Sequence, residues 1–171
     1  MVKANYIRLR LEITEEDAVN IIRWLDNKKV NKYLNEDTEE LISLALLIKR
    51  RQTDMLTYRL NQDGRFFMID SAEESSIGFI NLFTIRPHKE YEVVVVIGNP
   101  SNWGKKYGTD SLRSIAREVF IKWRIDKLVA LIELDNQRSI RMFESLHFSK
   151  EYSNDRYIKF YLTFNDYLSS L

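Results

Sequence analysis

The run Val93-Val94-Val95-Val96-Ile97 is β-branched throughout and has no polar interruption, so it suits a strand buried on both faces. Gly98, Asn99 and Pro100 end it. After a polar loop comes Trp103-Gly104-Lys105-Lys106-Tyr107-Gly108-Thr109. Leu112, Ile115, Ala116, Val119 and Phe120 then recur at the spacing of one helical face. Leu128 to Ile132 is a second all-apolar run. Strand, glycine turn, helix and strand in that order form a crossover whose two strands are expected to be parallel or nearly so.

A helix that starts on a glycine turn directs unpaired N–H groups and the positive end of its dipole at one spot, which favours an anion such as phosphate. Gly104 and Gly108 allow close approach or positive φ, and Lys105 and Lys106 add positive charge. The order of a P-loop is absent, as is GxGxxG, so neither a nucleotide-binding P-loop nor a dinucleotide fold is indicated. Taken alone, the turn also fits an ordinary strand-to-helix connection with solvated lysines.

The second half of the stretch resolves that ambiguity. Trp103 to Leu112 reads WGKKYGTDSL, and Asn136 to Phe148 reads NQRSIRMFESLHF. Together, in this order and separation, they resemble the Gcn5-related N-acetyltransferase superfamily, and within it the ribosomal-protein-acetyltransferase-like (RimJ/RimL-type) branch. That branch carries a pattern like WGKGYGTEAL before the central helix and N-x-x-[SA]-I-x-x-[YF]-E-x-x-G-F after the next strand. The resemblance implies an α/β fold, a mixed and mostly antiparallel sheet with a splayed central strand pair and helices on both faces. It also implies one N-acetyltransferase domain over residues 1–171.

The same resemblance implies acetyl-CoA as co-substrate and no metal. Its pyrophosphate would lie on the N–H groups of Gly104, Lys105, Lys106, Tyr107, Gly108 and Thr109 behind Trp103, and its pantetheine along Val95, Val96 and Ile97. In the family this strand splays from its neighbour at a bulge. Asn136, Ser139 and Phe143 complete the implied cofactor contacts; by local chemistry Asn136 is equally a plain helix cap. Three positions depart from the pattern. Lys106 replaces a glycine and is expected to fit at negative φ. Phe143 stands where relatives often have the tyrosine that protonates the departing thiolate. His147 replaces the glycine before the final Phe and is expected to alter the helix C-cap.

Glu92, at the start of the buried strand, sits where relatives often have a glutamate that takes the amine's proton through water, and partial burial would raise its pKa. The competing role is a surface carboxylate paired with Lys89 or an arginine. His88 is a weaker base candidate, and His147 is structural. Tyr107, Tyr152 and Tyr157 are candidate acids, although water can also protonate a thiolate.

The remainder of the chain sets bounds. With 26 basic against 25 acidic residues the net charge is +1, which argues against nucleic acid as partner. Without cysteine there is no disulfide, thiolate metal site or cysteine nucleophile. No run reaches membrane-spanning length, and the expected home is cytoplasmic. Ile7, Leu9 and Leu11 alternate as a strand. Thr14 with Asp17 forms a capping box ahead of Ala18, Ile21, Ile22 and Leu25, a helix that ends at Trp24 beside an Asn27-Lys28-Lys29 turn. Asp37 with Glu40 opens a second helix that closes in Lys49-Arg50-Arg51. Met55 to Leu60 is extended or helical. Phe66 to Asp70 and Ile77 to Ile85 are strands, Phe148 to Tyr152 and Tyr157 to Phe164 a closing hairpin, and the residues from Asn165 a surface tail.

The expected partners are acetyl-CoA and a primary-amine acceptor: a polyamine, aminoglycoside, amino sugar or protein N-terminus. The acidic stretch Asn35 to Glu40 lies where relatives form part of the acceptor site. An exposed edge of the splayed sheet permits a homodimer. The alternative function is a non-catalytic acyl-CoA-binding sensor of the same fold, motivated by Lys106 and Phe143.

Overall fold

The computed structural model describes residues 5–34 and 38–171, leaving out the side chains of residues 38–42 and of Tyr152. Asp37 as a helix cap, the charges of the Asn35 to Glu40 stretch and Tyr152 as an acid therefore lie outside the described residues.

Seven strands form one sheet: β1 (Ile7–Arg10), β2 (Gly64–Ser71), β3 (Gly78–Arg86), β4 (Glu90–Ile97), β5 (Lys127–Glu133), β6 (Ser149–Ser153) and β7 (Tyr157–Thr163), in the order β1-β2-β3-β4-β5-β7-β6. All neighbours are antiparallel except β4 and β5. Two apolar clusters cover the two faces. Phe66, Met68, Phe79 and Val96 pack with residues of α1 (Glu15–Asp26) and α3 (Thr38–Lys49), and with Val30 of the short α2 (Lys28–Asn31) and Leu56 of α4 (Leu56–Leu60). On the other face Val93, Leu128, Ala130 and Phe160 pack with α5 (Tyr107–Arg117), α6 (Gln137–Ser145) and Tyr167 of α7 (Phe164–Ser169).

The β4–β5 pair is parallel, as the crossover requires, but it runs for only three rungs: Glu90↔Lys127, Tyr91↔Leu128 and Glu92↔Val129. Beyond Glu92 the strands part. Each remains fully paired on its other side, β4 with β3 up to Gly78↔Ile97 and β5 with β7 up to Glu133↔Tyr157. The sheet is thus two half-sheets joined at a fork. The irregularity in β4's pairing lies elsewhere, between Thr84 and Arg86 of β3, so the fork does not open at a bulge. It also corrects the expectation of burial on both faces: Val93 and Val96 are buried, whereas Val94, Val95 and Ile97 are half-buried beside the opening.

Local chemistry explains most other boundaries. The Thr14–Asp17 capping box is complete, each residue's side chain accepting from the other's backbone N–H. Asp17, only 1% exposed, also binds Arg10 Nη1 at 2.7 Å and accepts from the Ser76 hydroxyl, while Arg10 Nε reaches Asp70 Oδ2 at 3.2 Å. This network joins β1, α1, β2 and the β2–β3 connection. Arg10 Nη1 further donates to the Glu12 carbonyl at 2.6 Å. The strand ends there, and Leu11, expected inside, is exposed.

Asn27 caps the end of α1 and the start of α2, so the expected turn is a second short helix. Met55 to Leu60 is helical. The expected C-terminal tail is instead α7, capped by Thr163 and anchored by Tyr167 stacked on Phe120 at 5.0 Å.

Burial favours the neutral form of Asp17, yet the Arg10, Ser76 and Thr14 hydrogen bonds override it and hold the carboxyl down from 3.8 to about 2. Because the folded value is depressed, the stability it confers is present above 3.8 and is lost as pH falls through about 2. Asp17→Asn is expected to cost about 3 kcal/mol at neutral pH, since it leaves part of the buried Arg10 charge uncompensated. In chemical denaturation the gap from wild type should narrow as pH falls through that window.

Candidate active site

The fork opens a cavity of about 910 Å³. One wall is the separated edge of β4, from Glu92 to Ile97, and the facing wall is Leu131 to Glu133 of β5. By the two-residue period of a strand, Glu92 lies on the same face as Val94 and Val96, toward α1 and α4. It occupies the last paired rung, at the apex of the fork. Burial pushes its carboxyl pKa up, and the charge of Lys159 opposes this only in part. Glu92 is therefore a half-buried carboxylate facing the cavity, and no ion pair to it forms among the described residues.

The turn between β4 and α5 closes one end. Trp103 donates its indole N–H to the Ile97 carbonyl at 2.8 Å, satisfying one backbone group at the end of the open edge. Gly104 has φ +77° with open space around it. Lys106 has φ +67°, in the left-handed region that glycine adopts most easily, so the expectation of negative φ is corrected. The Lys106 carbonyl accepts the Asp110 N–H at 2.9 Å, starting α5. Gly108 lies inside that helix. Its contribution is close packing, since a Cβ there would sit 3.2 Å from Met142 Sδ.

Of the cofactor residues inferred from the sequence, Val95, Val96, Ile97, Trp103, Gly104, Lys106, Tyr107, Gly108, Thr109, Asn136, Ser139 and Phe143 all line the cavity. Lys105 is off its wall, with Nζ bonded to Asn102 Oδ1 at 3.1 Å.

Helix α6 lies beside that turn, on the β5 side of the fork. Asn136 Oδ1 caps it by accepting from Ser139 N–H at 3.2 Å, and its Nδ2 makes no hydrogen bond among the described residues. Phe143 is 2% exposed and packs edge-on against Phe148 at 4.9 Å; it carries no proton to give. His147 adopts φ +64°. Its N–H donates to the Glu144 carbonyl at 3.1 Å, and Phe148 N–H donates to the Phe143 carbonyl at 3.2 Å. This is a complete Schellman motif with its Phe143–Phe148 apolar contact, so the C-cap is not altered. Tyr107 and Tyr157 line the cavity. His88 sits in an exposed turn at the opposite end of β4, away from it.

Sequence reasoning missed the other walls: Tyr33 after α2, Arg59 on α4, Asp63 before β2, Phe83 on β3, and Arg138. The Arg138 guanidinium lies 3.7 Å over the Trp103 ring, and burial lowers its pKa. Its place one turn into the Asn136 motif was the available signal. Among the described residues no cluster of three or more His, Asp or Glu could hold a metal, and no helix is long and apolar enough to cross a membrane.

A mixed sheet forked at its one parallel pair, with a left-handed turn and helix start at the fork, defines the acetyl-CoA-dependent acyltransferase fold. The Acetyltransferase (GNAT) domain family matches residues 7–149, and the chain belongs to that family. It is thus an acyltransferase that uses acetyl-CoA. The chain is 25% identical over 146 residues to the uncharacterized N-acetyltransferase p20 of Bacillus licheniformis, covering 84% of this chain and 80% of that one. Its fold is similar to that of spermidine N-acetyltransferase from Vibrio cholerae in complex with CoA and spermine, with TM-score 0.75 and 20% identity over 95% and 98% of the two chains. It is also similar to Campylobacter jejuni N-acetyltransferase PseH in complex with acetyl coenzyme A, with TM-score 0.66 and 17% identity over 92% and 99%.

Lys106 and His147 each hold a left-handed backbone without glycine, at a cost of roughly 1 kcal/mol apiece. Lys106→Gly and His147→Gly should each stabilise the protein by about that amount in urea denaturation.

Proposed function

We propose that the chain transfers the acetyl group of acetyl-CoA to a primary amine by direct attack within a ternary complex, with Glu92 as general base. The observation that carries this is the position of Glu92: a carboxylate of raised pKa at the apex of the fork, in one cavity with the β4 edge and the turn. Gly104 to Thr109 take the pyrophosphate on backbone N–H groups, Val95 to Ile97 hold the pantetheine, and Asn136 Nδ2 donates to it. Backbone N–H groups on the open β4 edge polarise the acetyl carbonyl. Glu92, directly or through one water, removes a proton from the bound ammonium, and the neutral amine attacks the acetyl carbonyl. As the new C–N bond forms, the C–S bond breaks and the nitrogen releases its second proton to water. The thiolate takes a proton from water or from Tyr107 or Tyr157, because Phe143 has none.

The cavity lining supports a cationic amine on an apolar stem as acceptor. Asp63, Glu92 and Glu133 supply carboxylates, and Phe83 and Tyr157 supply aromatic surface. The Vibrio cholerae relative acts on spermidine, which fits that composition. The WGKKYGTDSL and NQRSIRMFESLHF stretches support placement in the RimJ/RimL-type branch, whose acceptors also include protein N-termini, aminoglycosides and amino sugars. The same proposal includes cytoplasmic residence and a homodimer, for which β1 and β6 are the available sheet edges.

Thiol release from acetyl-CoA across spermidine, aminoglycosides, amino sugars and free-N-terminal peptides tests the activity and picks the acceptor. Cofactor binding without turnover on any of them would favour the sensor role that Phe143 motivates. With an active acceptor in hand, Glu92→Gln should lower kcat by about 100-fold or more and abolish the acid limb of the pH–rate profile, with acetyl-CoA affinity unchanged. A variant as fast as wild type would remove Glu92 from the mechanism.

A further inference from the structure

The turn that carries Lys106 in a left-handed conformation is braced from outside by a residue about a hundred positions away. Asn5, just before β1, donates its Nδ2 to the Lys105 carbonyl at 2.8 Å and to Asp110 Oδ2 at 2.9 Å. Its backbone N–H donates to the same Asp110 oxygen at 2.9 Å. The other Asp110 oxygen, Oδ1, takes Arg113 Nη1 at 2.5 Å.

Two physical consequences follow. First, the Lys105–Lys106 peptide is planar and trans, so holding its carbonyl toward Asn5 fixes the Lys106 N–H on the opposite side of the peptide. Left-handed residues on both sides of Lys105, at Gly104 and Lys106, make this a concave run of N–H groups of the kind that receives anions. Second, Asp110 places a negative charge in the first turn of α5, where it would repel a phosphate and compete for the same N–H groups. Asn5 and Arg113 together occupy both of its oxygens and hold it away from them.

We infer that Asn5 is a positioning residue for the pyrophosphate turn: it sets the Lys105–Lys106 peptide orientation and ties back the Asp110 carboxylate. This rests on the proposed role of the Gly104 to Thr109 turn. The nearby Lys105 completes the brace, because its Nζ is directed to Asn102 rather than to the turn's inner side.

Acetyl-CoA and acetyl-pantetheine separate the possibilities, since the second lacks the pyrophosphate. Calorimetry should show acetyl-CoA Kd raised about tenfold by Asn5→Ala, the size expected for losing one or two hydrogen bonds to a charged group or turn. Acetyl-pantetheine Kd, from competition, should stay the same. Asn5→Asp, which keeps the shape but sets a second carboxylate beside Asp110, should be worse than Asn5→Ala, and most so at low salt. Equal loss for both ligands would make Asn5 a general fold contact and overturn the inference, as would no change for acetyl-CoA. If wild type binds acetyl-pantetheine as tightly as acetyl-CoA, the pyrophosphate role of the turn fails first, and the inference fails with it.

Discussion

The parallel pairing of β4 with β5 stops after three rungs, and the functional half of the molecule depends on that interruption. A strand edge inside a protein leaves backbone donors and acceptors that cost about 1–3 kcal/mol each if unpaired and dry. The fork is tolerated because its edge faces a cavity, and because the Trp103 indole takes the Ile97 carbonyl at its far end. It is also held open on both flanks. On one flank the Arg10, Asp17, Asp70 and Ser76 network ties β1, α1, β2 and the β2–β3 connection together, and on the other Phe143 packs edge-on against Phe148 and stacks on Phe160. Closing the fork by continued pairing would require moving one of these two anchored bodies against the other.

The same logic accounts for two residues that look unsuited to their positions. Lys106 and His147 stand where glycine would be less strained, yet both backbones adopt the left-handed geometry. At His147 the Schellman hydrogen bonds and the Phe143–Phe148 contact outweigh the local strain. At Lys106 the compensation is more distributed: the Asp110 N–H on its own carbonyl, and Asn5 on the preceding one. At His147 local cap contacts fix the backbone, and at Lys106 a local bond and the distant Asn5 do so together.

What the sequence made legible was local and periodic. The β-branched run of β4, the apolar face of α5 and the Thr14–Asp17 box need only neighbours in the chain, and each formed as expected. What it hid was decided by distant partners. Nothing within Val93 to Ile97 says that pairing with β5 ends at Glu92, so an uninterrupted apolar run implied cover on both faces when part of it borders a cavity. The sign of φ at Lys106 follows from contacts that include Asn5, far off in sequence. The C-terminal helix carried a local cap signal, Thr163 with Asp166, but its anchoring was hidden because the burial of Tyr167 depends on Phe120. The cavity walls from Tyr33, from Arg59 with Asp63, and from Phe83 come from three separate stretches, and only the fold brings them together.

Glu92 shows how tightly the fork couples structure to chemistry. A base for a protonated amine needs a pKa above the ordinary carboxylate range, and burial at the apex of the fork supplies that shift. The nearby Lys159 charge works against it, but Lys159 is itself bound to Glu151 at 2.8 Å, and Glu151 also takes Lys127 at 3.1 Å. That outer ion cluster draws the lysine's charge toward an exposed partner and limits its pull on Glu92. A cationic acceptor entering the same cavity would lower the Glu92 pKa in turn, favouring the carboxylate at the moment a proton has to be accepted. In the proposed mechanism, the place where the two strands part therefore both raises the Glu92 pKa and brings the substrate's opposing charge to it.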